Sequence, residues 1–331
     1  MRLGLAGTGR IGAFHAETLR QLADVVVADA DPARARQTAD KLGVEFAADV
    51  DALFAARLDG IVVAAATDAH PELILRAVAA GLPVFCEKPV ARDIEGTLRV
   101  IDRIAASDVP VQIGFQRRFD AGYTAARDAV AAGQLGWLHT LRANTCDPAP
   151  PPAEYIATSG GFFRDCSVHD FDIIRWVTGS EVVEAYAVGA NRGADFFAAA
   201  GDVSSVGVVL TMDDGAIALV SGTRYNAAGY DVRLEVLGAQ GSLVVGLDDN
   251  VPLRSAEPGV TWPAGRAYPG FMERFRAAYQ TELAAFAALV ADGGTESPCT
   301  GADALEAFYV AEACDRSRRE HRPVAIAEVR R

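Results

Sequence analysis

The chain has 331 residues, half of them apolar, and a formal net charge of −13. Such a length suggests about two domains with sizeable cores. The acidic balance works against nucleic acid and anionic membrane surfaces as partners.

In chain order, short apolar runs first alternate with helical stretches. Leu3–Ala6 reads as a strand, Ile11–Ala23 as a helix, Val25–Ala28 as a strand and Pro32–Lys41 as a helix. Strands follow at Gly60–Ala66, Pro83–Cys86 and Val109–Gly114, with helices at Glu72–Ala80 and Ile94–Ala106 between them. Continuous apolar strands separated by amphipathic helices predict a parallel sheet covered on both faces. Beyond Phe119 the pattern changes. A helix fits Ala121–Ala132, a strand Leu138–Asn144 and a helix Ser167–Thr178, with four prolines stiffening Pro148–Pro152. Period-two runs follow at Glu184–Ala190, Ser204–Met212, Gly215–Thr223 and Arg233–Leu237, and Asp214-Gly215 reads as a tight hairpin turn. The chain closes with helical stretches at Phe271–Asp292 and Ala302–Arg319. The expected division is residues 1–118 as a dinucleotide-binding α/β domain and 119–331 as an α+β domain with a mostly antiparallel sheet, whose last helices pack back on the first. No export leader precedes Leu3, and no apolar run is long enough for a membrane span, so a cytoplasmic protein is expected. Cys86, Cys146, Cys166, Cys299 and Cys314 form no CxxC pair, which fits free thiols in a reducing compartment.

Gly7-Thr8-Gly9-Arg10-Ile11-Gly12 fits GxGxxG between the first strand and the first helix. Gly7 permits the tight turn, Gly9 lets a pyrophosphate approach the backbone, and Gly12 lets the helix pack closely on the strand. The helix start offers unpaired N–H groups to phosphate. Asp29 ends the second strand at the spacing of a carboxylate that holds the adenosine ribose diol. It would repel a 2′-phosphate, so NAD is expected over NADP, although Arg34 and Arg36 on the next helix carry charge that would favour phosphate.

Further on stand Cys86-Glu87-Lys88-Pro89 and Asp165-Cys166-Ser167-Val168-His169. Together with the glycine loop and His15, these motifs resemble the Gfo/Idh/MocA oxidoreductase family over essentially the whole chain. Gly114-Phe115-Gln116-Arg117-Arg118-Phe119-Asp120, Gly160-Gly161 and Gly229-Tyr230-Asp231 narrow the resemblance to its inositol 2-dehydrogenase branch. The resemblance implies a Rossmann domain followed by an open-sheet domain that often forms a subunit interface. A homo-oligomer, first a tetramer, is therefore expected. It also implies that Glu87-Lys88-Pro89 lies beside the nicotinamide ribose, commonly with a cis bond before Pro89. One departure is visible: many members carry Thr-Pro after the third strand, where this chain has Ala66-Thr67-Asp68-Ala69-His70. Thr67 and His70 keep the cofactor-lining positions.

Oxidising an alcohol needs a base for the hydroxyl proton, a hydride acceptor and stabilisation of the developing alkoxide. Lys88 supplies positive charge for the last. Asp165 and His169, four apart, share a face if Asp165 lies in a first helical turn. On the residues alone, the pair also reads as a capping Asp with a core histidine. The resemblance places it at the family's catalytic positions, with His169 as base and Asp165 as its orienter. Asp172 is a competing orienter, or a surface partner of Arg175. The cofactor set is Gly7, Gly9, Arg10, Ile11, Gly12, Asp29, Thr67, His70, Glu87 and Lys88, and the substrate set is Gln116, Arg118 and Tyr230. Arg117 reads as structural, while His15 and Tyr230 each read equally as packing residues. No second cluster with ligand spacing accompanies Asp165, Cys166 and His169, so no metal is expected. The function so read is NAD-dependent oxidation of a cyclitol ring hydroxyl. The alternatives are another sugar or an aminocyclitol as substrate, a redox-neutral use of a tightly held cofactor, and a dinucleotide sensor that does no chemistry.

Overall fold

Six short runs rich in Val, Ile, Leu and Ala form a parallel sheet in the computed structural model, which describes residues 1–330. These strands are β1 (Arg2–Ala6), β2 (Asp24–Ala28), β3 (Glu45–Phe46), β4 (Gly60–Val63), β5 (Val84–Glu87) and β6 (Val111–Gly114). Their order is β3-β2-β1-β4-β5-β6, with every pair parallel. The order reverses between β1 and β4, and such a switch point opens a crevice at the strands' carboxyl ends where dinucleotides bind. β3 escapes a pattern reading because it has only two residues, paired to Val26 and Val27. β4 stops at Val63, short of the expected Ala66, because Thr67–Ala69 turns into a short 3₁₀ helix before the helix His70–Ala79.

The unit built on this sheet comprises Met1–Gln116 and Ala277–Leu305. Its core stacks Leu3, Leu5, Val25, Val27, Val62 and Phe85 against Ala16 and Leu19 of the first helix and Leu283, Phe286 and Ala287 of a late one. Burying a Leu, Val or Phe of this kind contributes about 1.5–3 kcal/mol each.

The second unit holds Arg117–Arg276 and the chain from Glu306 onward. Its strands are β7 (Leu138–Cys146), β8 (Val182–Ala190), β9 (Ser205–Met212), β10 (Ile217–Thr223), β11 (Asp231–Gly238), β12 (Gly241–Val245) and β13 (Val324–Ala325). They form one sheet in the order β12-β11-β7-β10-β9-β8-β13. All pairs are antiparallel except β7 with β10. β9 and β10 are joined at Asp214-Gly215, where Gly215 takes a φ of +88° and the Asp214 carboxylate accepts from Ala216 N. Alternation puts Leu141, Ala143, Val208, Leu210, Ala218, Val220, Leu234 and Val236 on a buried face. The helices Ala121–Ala131 and Val168–Thr178 pack beneath it. The opposite face carries Tyr186, Val188, Val209, Ile217, Leu219 and Val244, all exposed.

Two buried ion pairs tie the start of this unit to the helix Val168–Thr178. Arg117 Nη1 donates to Asp170 at 2.5 Å and its Nη2 to Thr145 Oγ1 at 2.9 Å, so the arginine is structural. Arg118 forks onto Asp172 through Nε at 2.9 Å and Nη2 at 2.6 Å. Asp172 is thus buried, not a surface residue of its helix, and Arg175 meets Glu181.

Removing one partner of a buried pair leaves an uncompensated charge at a cost of about 3–5 kcal/mol. Asp170→Ala is expected to lose that much, read as a lower urea midpoint at unchanged m-value. Adding Arg117→Met should recover most of it; a double variant no better than the single one would refute the pairing as the cause.

Candidate active site

The turn after β1 is built by two close approaches. Gly7 has a φ of +98°, and a Cβ there would lie 2.6 Å from the backbone of Ala64 and Ala65. A Cβ at Gly12 would lie 2.0 Å from the Gly7 carbonyl oxygen. Gly9 has nothing within 4 Å of where its Cβ would be and caps the helix Arg10–Leu19 without a side-chain hydrogen bond. Exposed Arg10 and half-buried Ile11 form the start of that helix. An open backbone cradle at a helix start fits a pyrophosphate.

Asp29 follows the end of β2 and is buried. It accepts from Thr8 N at 2.6 Å, Thr8 Oγ1 at 3.0 Å and Asp31 N at 2.9 Å. Arg34 adds Nε at 3.1 Å and Nη2 at 2.5 Å. Burial alone would raise this carboxyl, but the hydrogen bonds from Arg34, Asp31 N and Thr8 outweigh it and hold it at about 2.

Glu87 ends β5, and half-buried Lys88 follows it with a cis bond to Pro89. His15 is wholly buried and packs against Phe85 and Tyr279, with Nε2 at 2.7 Å from Glu87 Oε1. It thus braces the Glu87-Lys88 segment from behind. His70 sets its ring nitrogens 2.8 Å from Pro89 O and 3.1 Å from Ala65 O. It ties the loop holding Thr67 to the Lys88-Pro89 loop. Gln116 is buried in the short turn Gln116–Phe119 after β6.

In the second unit, Asp165 sits in a wide π-type turn, Phe163–Ser167, that feeds the helix Val168–Thr178 bearing His169. Single wide turns of this kind recur at functional sites. Its carboxylate is gripped by Arg224 Nη2 at 2.6 Å and Tyr155 Oη at 2.8 Å. Arg224 also donates to Asp147 at 2.8 Å and lies over the Phe162 ring at 5.0 Å. Burial would lower the Arg224 pKa, but the acidic groups of Cys166, Asp165 and Asp147 carry it well above the usual arginine value. Burial and the Asp165 charge push the Tyr155 phenol up. The meeting of Arg224 and Asp147 follows from the one parallel pair: Thr223 lies opposite Cys146, so both residues leave the same sheet edge.

Arg224, Asp147 and Tyr155 were not among the residues expected from the sequence. Arg118 was, as a substrate ligand, but two of its guanidinium nitrogens serve Asp172. Tyr230 is buried, with edge contacts to Phe271 and Phe275, and burial pushes its phenol up. All five cysteines are free thiols. Among the described residues no helix is long and apolar enough to cross a membrane.

A doubly wound sheet with this glycine turn and a buried carboxylate just after its second strand defines a nicotinamide-dinucleotide oxidoreductase. The profile described as "Oxidoreductase family, NAD-binding Rossmann fold" matches residues 1–115, and that of the GFO/IDH/MocA C-terminal domain matches 123–244. The chain belongs to the Gfo/Idh/MocA family. It is 38% identical to the myo-inositol dehydrogenase Hyg17 of Streptomyces leeuwenhoekii, with 96% of this chain and 97% of that protein covered. It is 37% identical to the myo-inositol 2-dehydrogenase of Thermotoga maritima, with 99% of each covered. The scyllo-inositol dehydrogenase of Lactobacillus casei, solved with NAD(H) and scyllo-inositol, superposes with a TM-score of 0.88 at 30% identity over 99% of both chains. The cofactor is NAD.

A carboxyl held at about 2 against an ordinary 3.8 adds stability that is present above the unfolded value and lost as pH falls through the folded one. The difference corresponds to about 2 kcal/mol. Asp29→Asn should therefore be less stable than wild type at pH 7, and the gap should close as pH falls from 4 towards 2. Denaturant melts across that range check this; a gap independent of pH would contradict it.

Proposed function

We propose that this protein oxidises one ring hydroxyl of a cyclitol to a ketone with NAD⁺, with myo-inositol or a close stereoisomer as the first candidate. The observation that carries the reading is the clamped carboxylate one turn before His169: Asp165 is fixed by Arg224 and Tyr155 in a largely buried, hydrogen-bonded setting. The substrate class is supported by likeness over nearly the full length of both domains to proteins named as inositol dehydrogenases.

In this reading His169 takes the hydroxyl proton, and Asp165 holds the imidazole in orientation. Lys88 steadies the alkoxide as the C–H bond breaks. The bound nicotinamide supplies the hydride acceptor. Arg224 and Tyr155 keep Asp165 from turning away. Gln116 and Tyr230 remain as groups for fixing further ring hydroxyls, and Thr67, His70 and Glu87 shape the cofactor's surroundings. Free thiols and an acidic surface support a cytoplasmic setting. A panel of cyclitols, aldopyranoses and aminocyclitols with NAD⁺ tests the substrate. Turnover of an aldopyranose or an aminocyclitol without any inositol would move the assignment to those classes. Formation of no reduced nicotinamide with any of them would favour a sensor.

The protein is also proposed to assemble as a homotetramer. An exposed sheet face bearing Tyr186, Val188, Val209, Ile217 and Leu219 supports this, because apolar patches of that kind mark interaction surfaces.

Lys88→Ala and His169→Ala should each lower kcat by about 10²- to 10⁴-fold while NADH binding survives. The double variant should lose less than the product of the two. Near-wild-type turnover in folded, NADH-binding protein would remove the residue concerned from the mechanism. Leu219→Glu on the sheet face should shift the assembly to smaller species in light scattering; an unchanged mass would exclude that face as the interface.

A further inference from the structure

Asp29 is saturated by donors from its own domain. Oδ2 accepts from Thr8 N, Thr8 Oγ1 and Arg34 Nε, and Oδ1 accepts from Asp31 N and Arg34 Nη2. An ionised carboxylate offers about four lone-pair sites. A ribose diol that binds Asp29 must therefore take the place of a donor already there. Thr8 and the Asp31 amide belong to the turn itself, and Thr8 is buried, so displacing them means rebuilding the loop. Arg34 alone stands on the solvent side, with 49% of its side chain exposed. It is tethered in the first turn of the helix Pro32–Leu42, whose start is fixed by Asp31 accepting from Ala33 N and Arg34 N. Arg36 has another task, over the Phe46 ring at 4.7 Å.

We propose that Arg34 sets the margin of cofactor choice, as the group the adenosine ribose displaces from Asp29. This rests on the assignment of NAD as cofactor. The consequence is different for each nucleotide. Against a 2′,3′-diol, Arg34 is a competitor for the same carboxylate oxygens, so it weakens NAD binding. Against a 2′-phosphate, it is a ready partner: a guanidinium is always charged and matches a phosphate with two parallel N–H donors. It also screens the Asp29 charge that would repel the phosphate. Asp29 alone would make the preference for NAD steep, and Arg34 makes it shallow.

The test is binding itself, followed by nicotinamide fluorescence or calorimetry, with NADH and NADPH titrated separately into wild type, Arg34→Ala and Arg34→Lys. Circular dichroism and melting temperature confirm that each variant is folded; the exposure of Arg34 makes loss of fold unexpected. In Arg34→Ala, NADH should bind severalfold tighter and NADPH on the order of tenfold weaker, since a hydrogen-bonded charge partner is lost. The ratio of the two dissociation constants should widen at least threefold. Arg34→Lys, with charge but no fork, should fall between. A ratio that moves less than threefold in Arg34→Ala, or an equal weakening of both nucleotides, would overturn the proposal and leave Arg34 as a support for the turn. Wild type that binds neither nucleotide would overturn the cofactor assignment, and the proposal with it.

Discussion

The carbonyl oxygen of Gly7 lies where any side chain at residue 12 would begin. That single close approach sets how the first helix meets the first strand. It aims the helix start at the crevice and leaves Gly9 facing open space. The same turn presents Thr8 to Asp29 through both its amide and its hydroxyl. The glycine turn and the Asp29 carboxylate are thus one construction. The identity of residue 12 fixes the path of the turn, the turn fixes Thr8, and Thr8 fixes the carboxylate.

The second unit solves a different problem, which is to keep charge under the sheet. Each buried cation there meets a carboxylate: Arg117 meets Asp170, Arg118 meets Asp172, and Arg224 meets both Asp147 and Asp165. Charges withdrawn from water persist only when paired and hydrogen-bonded. The first two pairs anchor the helix carrying His169. The third fixes the carboxylate in the wide turn just before it. The helix start and the carboxylate before it are thus held by separate arginines.

The parts of the site that are local in sequence were legible there. The turn at Gly7 and the close packing at Gly12 were legible because both are settled within six residues. Asp29 read as standing at the end of the second strand because strand and loop lengths place it there; its burial did not show in the sequence. Two short strands, β3 and β13, were invisible because two residues carry no period. β12 was missed as well, although its five residues follow β11 directly. Arg118 beside a strand end looks like a handle for substrate until its partner is known, and Asp172 is 54 positions away. Arg224 was hidden for the same reason. Its link to Asp165 spans 59 positions and exists only because β7 and β10 run parallel, which no spacing reveals. Helix ends were off by a few residues where a turn, as at Thr67–Ala69 or Phe163–Ser167, intervenes.

The parallel contact between β7 and β10 also bears on how the chain reaches this state. β7 is flanked in the sheet by β10 and β11, both of which lie far downstream; Thr140 waits for Ile217 and Leu237. During synthesis β7 emerges with neither edge covered, while β8 and β9 can already zip together as neighbours in sequence. Pairings between distant segments are slow to form because the loop between them must close first. The insertion of β7 between β10 and β11 must therefore wait until both later strands have been made. Until it happens, an unpaired strand nine residues long is open to association with other nascent chains.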